Sequence, residues 1–413
     1  MAGIAGRVGE AVAPSRFGRS FRWLLVATIV NNAGDGVAIS AGPLLVASQT
    51  RDPFLVSLAL LSENLPVLLF GVIGGVAADR FDRRRMVVAV NLGRAFVLAV
   101  LVATILAGSV NIAVVLVALF ILGTAETFAD AASSTLVPSL VAREDLGIAN
   151  ARMQGALLLL NQLLGPPIGA FLFAAGMALP FVTNAVAFAL GALLISRVVI
   201  DARREVAESS GWRSDMAEGI RWLVAHPPMR TLALTILTFN VTFGAAWGVL
   251  VLYAGERLGM DEVGFGLLTT ALAIGGIGGT VSYGWLERHF SLADIMRVGL
   301  LIETFTHLVL ALTTLPAVAL LTMVVFGAHA FVWGTTSTVV RQRAVPNELL
   351  GRVGGVYRVA IVGGIVIGTP IGGLLAQRFG ITAPFWFGFV GSAVLVTLLW
   401  REFEHIAHSE PPV

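Results

Sequence analysis

The sequence predicts an all-α membrane protein, with twelve transmembrane helices arranged in two pseudo-symmetric six-helix bundles. Hydrophobic residues make up 57% of the 413-residue chain and charged residues only 13%, with a mean hydropathy of +0.87. A soluble domain carries about 25% charged residues, so this chain has too few to cover a water-exposed surface. A membrane-spanning helix needs about 20 apolar residues, and the chain has room for about twelve such helices joined by short loops.

Twelve apolar stretches follow one another along the chain, separated by charged residues or by Gly and Pro. In chain order the predicted spans are 21–48, 54–78, 86–108, 111–134, 151–176, 178–200, 229–254, 264–286, 292–314, 316–340, 351–377 and 381–402. An even number of spans places both termini on the same side of the membrane.

The arginines predict the orientation of these spans. The block 79–85 carries two net positive charges between two apolar stretches, which is typical of a cytoplasmic turn. With the N-terminus inside, 23 of the 27 arginines lie in or beside the inner loops and ends, and only three lie in outer loops. The sequence therefore predicts a multi-pass protein of the inner (plasma) membrane with both termini in the cytoplasm.

The same reasoning predicts five regions. These are a cytoplasmic N-terminal tail at 1–20, six-helix bundles at 21–200 and 229–402, a cytoplasmic linker at 201–228, and a cytoplasmic C-terminal tail at 403–413. We interpret the first as an uncleaved tail, since no signal-peptide cleavage site follows the first apolar stretch. Apolar residues at helical spacing in the linker favour an amphipathic helix on the inner membrane face, the alternative being a disordered loop.

An internal repeat relates the two bundles. Residues 165–172, Gly-Pro-Pro-Ile-Gly-Ala-Phe-Leu, resemble residues 368–375, Gly-Thr-Pro-Ile-Gly-Gly-Leu-Leu, 203 positions later. Two six-span halves in parallel repeat are typical of secondary transporters.

Motifs in the first half resemble those of the major facilitator superfamily. Residues 75–84 are similar to its loop motif Gly-x-x-x-Asp-Arg-x-Gly-Arg-Arg, except that Asp82 replaces the second Gly. Residues 165–169 resemble the span-five signature of its drug/proton antiporters. Segments 33–36, 136–141 and 218–223 are similar to the branch that includes enterobactin exporters and macrolide efflux proteins. This resemblance covers the whole chain and does not by itself establish a substrate.

Acidic residues inside the spans are the candidates for proton coupling, because ionisable groups are costly in a membrane. Asp35 lies in the first span, and Glu126 and Asp130 lie one helical turn apart in the fourth. In the resembled fold these two spans line the central cavity, where Asn31 and Asn32 are candidate substrate contacts. Burial and a neighbouring negative charge both disfavour an ionised carboxyl group, so one of the three acids is expected to carry a proton. The alternative is that each acid only joins neighbouring helices.

Other ionisable residues lie within the spans. Glu63 and Arg94 are expected to neutralise each other or the acids named above. Glu303 and His307 stand four residues apart in the ninth span, where a supporting role is favoured over substrate contact.

The second half offers an aromatic surface, with polar residues interspersed at helical spacing. The candidate substrate-binding residues there are Asn240, Phe243, Trp247, His329 and Trp333. Aromatic rings suit lipophilic ligands and attract cations, although ordinary helix packing is the alternative.

Two further groups are predicted to control conformational change. The charged residues of the loop between the second and third spans can pair with each other or with helix C-terminal carbonyls. The alternative is that they only determine the orientation of the spans in the membrane. Gly and Pro in the fifth span allow close helix approach. The predicted gating residues are Asp79, Arg80, Arg83, Arg84, Gly165, Pro166 and Gly169.

We therefore expect a proton-coupled exporter, an antiporter of small amphiphilic molecules or drugs that works by alternating access. The alternatives are a dedicated exporter of one endogenous metabolite such as a siderophore, and a non-transporting membrane scaffold or sensor. The chain has no phosphate-binding loop, metal-site spacing or nucleophile motif, and it has no Cys. We expect no enzyme activity, cofactor, metal or nucleic-acid partner, and a monomer that binds protons, lipid and substrate.

Overall fold

The computed structural model describes residues 15–133, 136–199 and 212–407. Parts of the predicted N-terminal tail, linker and C-terminal tail lie outside these residues. Within them every regular element is helical. Among these described residues, eleven helices are long and apolar enough to cross a membrane, and a shorter apolar helix of 17 residues follows them. The all-α fold and the approximate count of twelve spans are confirmed.

The described residues form two compact units, the first within Met1–Leu45 and Leu69–Ala207 and the second within Val46–Leu68 and Glu208–Val413. The sequence division assigns 46–68 to the first bundle, whereas these residues pack within the second unit. The five predicted regions themselves stay a prediction.

The first six long helices follow the predicted spans closely. They are α1 (Gly18–Gln49), α2 (Pro53–Arg80), α3 (Arg83–Leu106), α4 (Ile112–Ser133), α5 (Arg143–Ala175) and α6 (Leu179–Ser196). A short 3₁₀ turn, Ser15–Phe17, precedes α1, and a one-turn helix, Val137–Leu140, precedes α5. Helix α5 contains a π-helical stretch at Leu157–Leu164.

The remaining helices begin with the linker. They are α7 (Trp212–Ala225), α8 (Pro227–Trp247), α9 (Leu250–Glu256), α10 (Glu262–His289), α11 (Leu292–Leu312), α12 (Pro316–Ala344), α13 (Leu350–Phe379), α14 (Ala383–Leu399) and α15 (Glu402–Ala407). The predicted seventh span is divided, because a break at Gly248 and Val249 separates α8 from α9.

The sequence repeat marks the same kind of helix contact in both units. A Cβ added at Gly165 would meet the Gly36 backbone, and one added at Gly169 would meet the Val37 carbonyl, so α5 lies directly against α1. In the second unit, Gly368 faces Val241 in the same way, so α13 lies against α8. Small residues allow this close approach of membrane helices.

Helix α7 lies where the sequence predicts the amphipathic helix, and it packs on α13. Arg352 pairs with Asp215 at 2.8 Å and with Glu218 at 3.0 Å. Gly219 faces the Arg352 backbone, and Leu223 is buried among apolar residues of the second unit. The linker helix is therefore held to α13 by charge and by packing.

Candidate functional site

A buried arginine connects two of the predicted acids in the first unit. Arg94 of α3 has a side chain only 5% exposed. Its Nη2 lies 3.3 Å from Asp35 Oδ1 of α1 and 3.3 Å from Glu126 Oε2 of α4. The sequence leaves open whether Arg94 neutralises Glu63 or the candidate proton-coupling acids, and the structure shows pairing with two of these acids. We call Asp35, Arg94 and Glu126 the Arg94 site.

The aromatic ring of Phe188 covers the guanidinium group. Its centroid lies 4.2 Å from Arg94 Cζ, within the range of a cation–π interaction. Because Phe188 belongs to α6, the Arg94 site and Phe188 together join four helices of the first unit.

The acids of this site are more accessible than the cation between them. The Asp35 side chain is 22% exposed and that of Glu126 is 54% exposed. Asp130 follows Glu126 by one helical turn and is also exposed. A guanidinium group stays protonated at every ordinary pH, whereas a carboxyl group can take up a proton. The site therefore pairs one fixed positive charge with two groups whose charge can change.

Two glycines fix the position of Asp35 along α1. A Cβ at Gly34 would overlap the Asn184 amide and Ala187 of α6, and one at Gly36 would overlap the backbone of α5 at Leu160. Helix α1 is thus in close contact on both sides of Asp35. This packing explains why a Gly-Asp-Gly sequence brings a carboxylate to Arg94.

The two predicted asparagines of α1 differ in their contacts. Asn32 Nδ2 donates a hydrogen bond to the Thr28 carbonyl, 2.8 Å away in the same helix. Asn31 lies against Gly191 of α6, and its Oδ1 accepts no hydrogen bond from the described residues. Its role as a substrate contact stays a prediction.

The loop between α2 and α3 uses main-chain acceptors. Arg83 Nε donates to the Ala78 carbonyl at 3.2 Å, and Arg84 Nη1 donates to the Val198 carbonyl at 3.1 Å. Arg80 is exposed, and the side chain of Asp79 lies outside the described part of the structure. Hydrogen bonds from these arginines to main-chain carbonyls near helix ends are among the contacts that the sequence predicts.

Asp82, the departure from the superfamily loop motif, caps α3. Its Oδ1 accepts a hydrogen bond from the Arg85 backbone N–H at 2.9 Å. This contact satisfies one of the free N–H groups at the start of the helix, so the substitution has a local structural reason.

In the second unit, two predicted residues belong to a cluster of aromatic rings. The Phe243 and Trp247 rings stack with centroids 4.3 Å apart, and Phe326 of α12 lies 5.3 Å from Trp247. Asn240 Nδ2 donates to the Ile236 carbonyl at 2.8 Å. Phe243 and Trp247 are partly exposed, as a ligand contact requires.

His329 and Trp333 are more buried than residues that line an accessible ligand cavity. Both are 5% exposed, and Trp333 stacks on Phe239 with centroids 5.9 Å apart. His329 instead lies beside Glu303, with 3.6 Å between Nε2 and Oε2. Their role as substrate contacts stays a prediction that this burial does not favour.

The sequence does not reveal three of these contacts. Phe188 and Phe326 carry no motif, and only packing of separate helices brings them to Arg94 and Trp247. Glu303 and His307 have a visible four-residue spacing, but nothing marks His329, 26 positions after Glu303, as their neighbour. Among the described residues, no three His, Asp or Glu side chains are arranged to hold a metal ion.

Sequence comparisons show that this chain is similar to known transporters. Residues 10–406 match the family described as transmembrane secretion effectors. The chain is 29% identical over 376 residues to the multidrug efflux pump Tap of Mycolicibacterium fortuitum, with 88% of this chain and 90% of the pump covered. It is 26% identical over 405 residues to the enterobactin exporter EntS of Escherichia coli O9:H4 (strain HS), with 95% of each chain covered.

A solved structure shares the fold. It is a bacterial homologue of the iron transporter ferroportin in its inward-facing state, with a TM-score of 0.76 and 19% identity. The likeness covers 94% of this chain and 99% of the other. At this identity the likeness concerns the fold alone.

Proposed function

Because the chain belongs to the transmembrane secretion effector family of the major facilitator superfamily, we propose that it is a proton-coupled exporter of small amphiphilic molecules. Members of this family are transporters, so the chain is a multi-pass membrane transporter and not an enzyme. Coupling to protons, antiport and the kind of cargo are the proposed parts.

The observation that carries proton coupling is the position of Arg94 between two carboxylates. With both acids ionised, the Arg94 site has a net charge of −1. When one acid takes up a proton, the remaining carboxylate and the guanidinium neutralise each other. Because uncompensated charge inside a membrane is costly, the site has a physical reason to bind one proton.

Competition for the same acids would couple the proton to the cargo. A cationic group that approaches Glu126 or Asp35 replaces the proton as the partner of the negative charge. Proton and cargo would then occupy the site in turn, which is the requirement for antiport. The exposed side chain of Glu126 supports this, since a ligand can reach it without displacing Arg94.

The aromatic rings of the second unit support an amphiphilic cargo. Phe243, Trp247 and Phe326 offer flat apolar surfaces that suit lipophilic and aromatic groups. The faces of aromatic rings also attract cations, so this cluster favours molecules with both a cationic and an apolar part.

Alternating access completes the proposal. The close glycine contacts between α1 and α5, and between α8 and α13, let these helices pack and bend as the two halves rock. The loop contacts of Arg83 and Arg84 with helix-end carbonyls are candidates for a latch that breaks during this motion. The excess of arginine on one side favours the inner membrane with both termini in the cytoplasm, and we propose a monomer surrounded by lipid.

Transport into vesicles tests the coupling. Purified protein is reconstituted in proteoliposomes, and uptake of ethidium, a lipophilic aromatic cation, is followed with an imposed pH gradient. Asp35→Asn and Glu126→Gln are each expected to reduce gradient-driven flux more than tenfold. The matched control is Glu262→Gln, an exposed acid at the start of α10, which should transport like the unaltered protein.

Undiminished gradient-driven flux in both site variants would show that these acids do not couple protons to transport. Flux that is lost in Glu262→Gln as well would trace the effect to folding and not to the Arg94 site.

A second candidate is a dedicated exporter of one endogenous metabolite, favoured by the similarity to the enterobactin exporter. Resistance to many chemically unrelated drugs on expression would favour the broad exporter. Accumulation of a single metabolite in cells lacking the protein would favour the dedicated one.

A further inference from the structure

A second group of ionisable side chains lies enclosed in the second unit. Glu303 and His307 of α11 are 0% and 1% exposed, and His329 of α12 is 5% exposed. His307 Nε2 lies 3.0 Å from Glu303 Oε1, and His329 Nε2 lies 3.6 Å from Glu303 Oε2. Each oxygen of the carboxyl group therefore faces one imidazole ring. We call these three residues the Glu303 cluster.

Glycines and aromatic rings surround the two imidazoles. A Cβ at Gly388 of α14 would overlap the His307 ring, and one at Gly299 of α11 would overlap the His329 ring. The rings of Phe239 and Phe326 lie at steep angles to the His329 ring, with centroids 6.1 and 6.0 Å away. The cluster is thus embedded in small and apolar groups.

The other charged groups on the surrounding helices lie near the ends of those helices. On α11 itself, Asp294 and Arg297 stand in the first two turns, and Arg297 pairs with Asp294 and Glu404. Helix α14 carries no ionisable residue. The titratable groups of the other helices packed on the cluster or on α11 lie within two turns of a helix end; they are Arg230 of α8, Tyr253 and Glu256 of α9 with Arg257 directly after it, Glu262, Tyr283, Glu287, Arg288 and His289 of α10, Arg341 and Arg343 of α12, and Glu402, Glu404 and His405 of α15.

Within the described residues, only the two imidazoles can therefore balance a negative charge on Glu303. With the carboxyl group ionised and both rings neutral, the cluster carries one uncompensated charge, which is costly in an apolar interior. One added proton makes the cluster neutral, whether the carboxyl group or a ring holds it. We propose that Glu303, His307 and His329 form a proton-binding site that keeps one shared proton inside the second unit.

The geometry favours a proton as the ligand. The three side chains are not arranged to hold a metal ion, and the enclosing glycines and rings leave them almost no exposed surface, whereas a proton needs no added space. This inference goes beyond the proposed function, since it holds whether or not transport is coupled to protons.

Spectroscopy of the purified protein in lipid nanodiscs tests the proposal. Protein labelled with ¹⁵N-histidine is examined at about pH 8, where a solvated imidazole has lost its extra proton. Infrared spectra of the same sample report a protonated carboxyl group through its carbonyl band. The signals are assigned from His307→Gln, His329→Gln and Glu303→Gln, and exposed His289 and His405 report rings in contact with water.

We expect a doubly protonated ring in the cluster, or a carboxyl band that disappears in Glu303→Gln. In Glu303→Gln a protonated ring should become neutral, because its counter-charge is gone, while His289→Gln should leave the cluster signals unchanged. Two neutral rings beside an ionised Glu303 at about pH 8 would overturn the proposal. The protonation of the two rings can be read from the unaltered protein and His307→Gln even if Glu303→Gln does not fold.

Discussion

The first unit holds its membrane acids partly open and matches them with a guanidinium group, whereas the second unit encloses its acid and matches it with two imidazoles. Asp35 and Glu126 remain 22% and 54% exposed beside Arg94, while Glu303 is completely buried. The two units nevertheless share a helix contact built from the same repeated Gly motif. The repeat therefore preserves this close helix contact, whereas the charged groups differ between the two units.

This difference suggests a division of roles. A carboxylate that water or a ligand can reach is able to exchange its proton within a transport cycle, whereas an enclosed one needs a partner that keeps it neutral. Substitutions in each unit test this division of roles.

Arg94→Met should affect the first unit most strongly. The change removes the only charge that balances Asp35 and Glu126 in the described contacts, while keeping an apolar side chain of similar length. Breaking a buried ion pair costs about 3–5 kcal/mol, and we expect about 3 kcal/mol because Glu126 is half exposed. The midpoint of thermal unfolding in detergent measures the loss, and gradient-driven transport should disappear.

The double variant Arg94→Met with Asp35→Asn provides the matched control. It removes one unbalanced charge and should recover part of the lost stability without recovering transport. A double variant that is less stable than Arg94→Met alone would contradict the pairing.

Glycine substitutions test the packing that the two units share. Gly165→Ala and Gly368→Ala each place a Cβ against the backbone of a neighbouring helix. We expect both to lower stability by about 1–3 kcal/mol, the usual cost of overpacking. Gly71→Ala and Gly278→Ala, where an added Cβ meets nothing within 4 Å, should leave the unfolding midpoint unchanged or slightly raised. A loss in only one unit would show that the repeat does not preserve this contact.

Phe188→Leu tests the aromatic cover of Arg94. It keeps an apolar side chain but removes the ring that lies over the guanidinium group. Loss of a desolvated cation–π contact should cost about 1 kcal/mol, read from chemical unfolding. Phe96→Leu, an exposed position on α3, is the control, and equal effects at both sites would argue against a special role for Phe188.

Replacing a helix-capping residue should cause the smallest loss of stability, and the loss should be similar in the two units. Asp82 caps α3, and Ser291 caps α11 by accepting a hydrogen bond from the Asp294 N–H at 3.1 Å. Asp82→Ala and Ser291→Ala should each cost about 1 kcal/mol, and Asp82→Gly only a few tenths. If Asp82→Gly proves as harmful as Asp82→Ala in chemical unfolding, the capping explanation of this residue is wrong.

Much of the fold was predictable because membrane helices are specified by local composition. The charged block 79–85 predicts the end of α2 and the start of α3. The Gly-Pro motif at 165–169 predicts that α5 closely approaches another helix. The break between α8 and α9 was not predictable, since residues 247–250 are apolar or Gly and continue the hydrophobic stretch. The membership of 46–68 in the second unit depends on contacts distant in sequence.

The candidate site was predictable only in part. Asp35 and Glu126 are conspicuous as acids in apolar stretches, and the four-residue spacing of Glu303 and His307 is visible in the chain. That Arg94 bridges two acids, and that His329 completes the Glu303 cluster, depends on how separate helices are placed side by side. Sequence spacing alone does not contain that information.

Proton release on ligand binding shows whether the Arg94 site exchanges a proton for the ligand. Purified protein in weakly buffered detergent is mixed with a transported ligand such as ethidium, and the pH of the solution is recorded. We expect acidification by the unaltered protein and by Glu303→Gln, and none by the double variant Asp35→Asn with Glu126→Gln. Ligand binding without acidification in the unaltered protein, or acidification that persists in the double variant, would contradict the assignment of proton exchange to the Arg94 site.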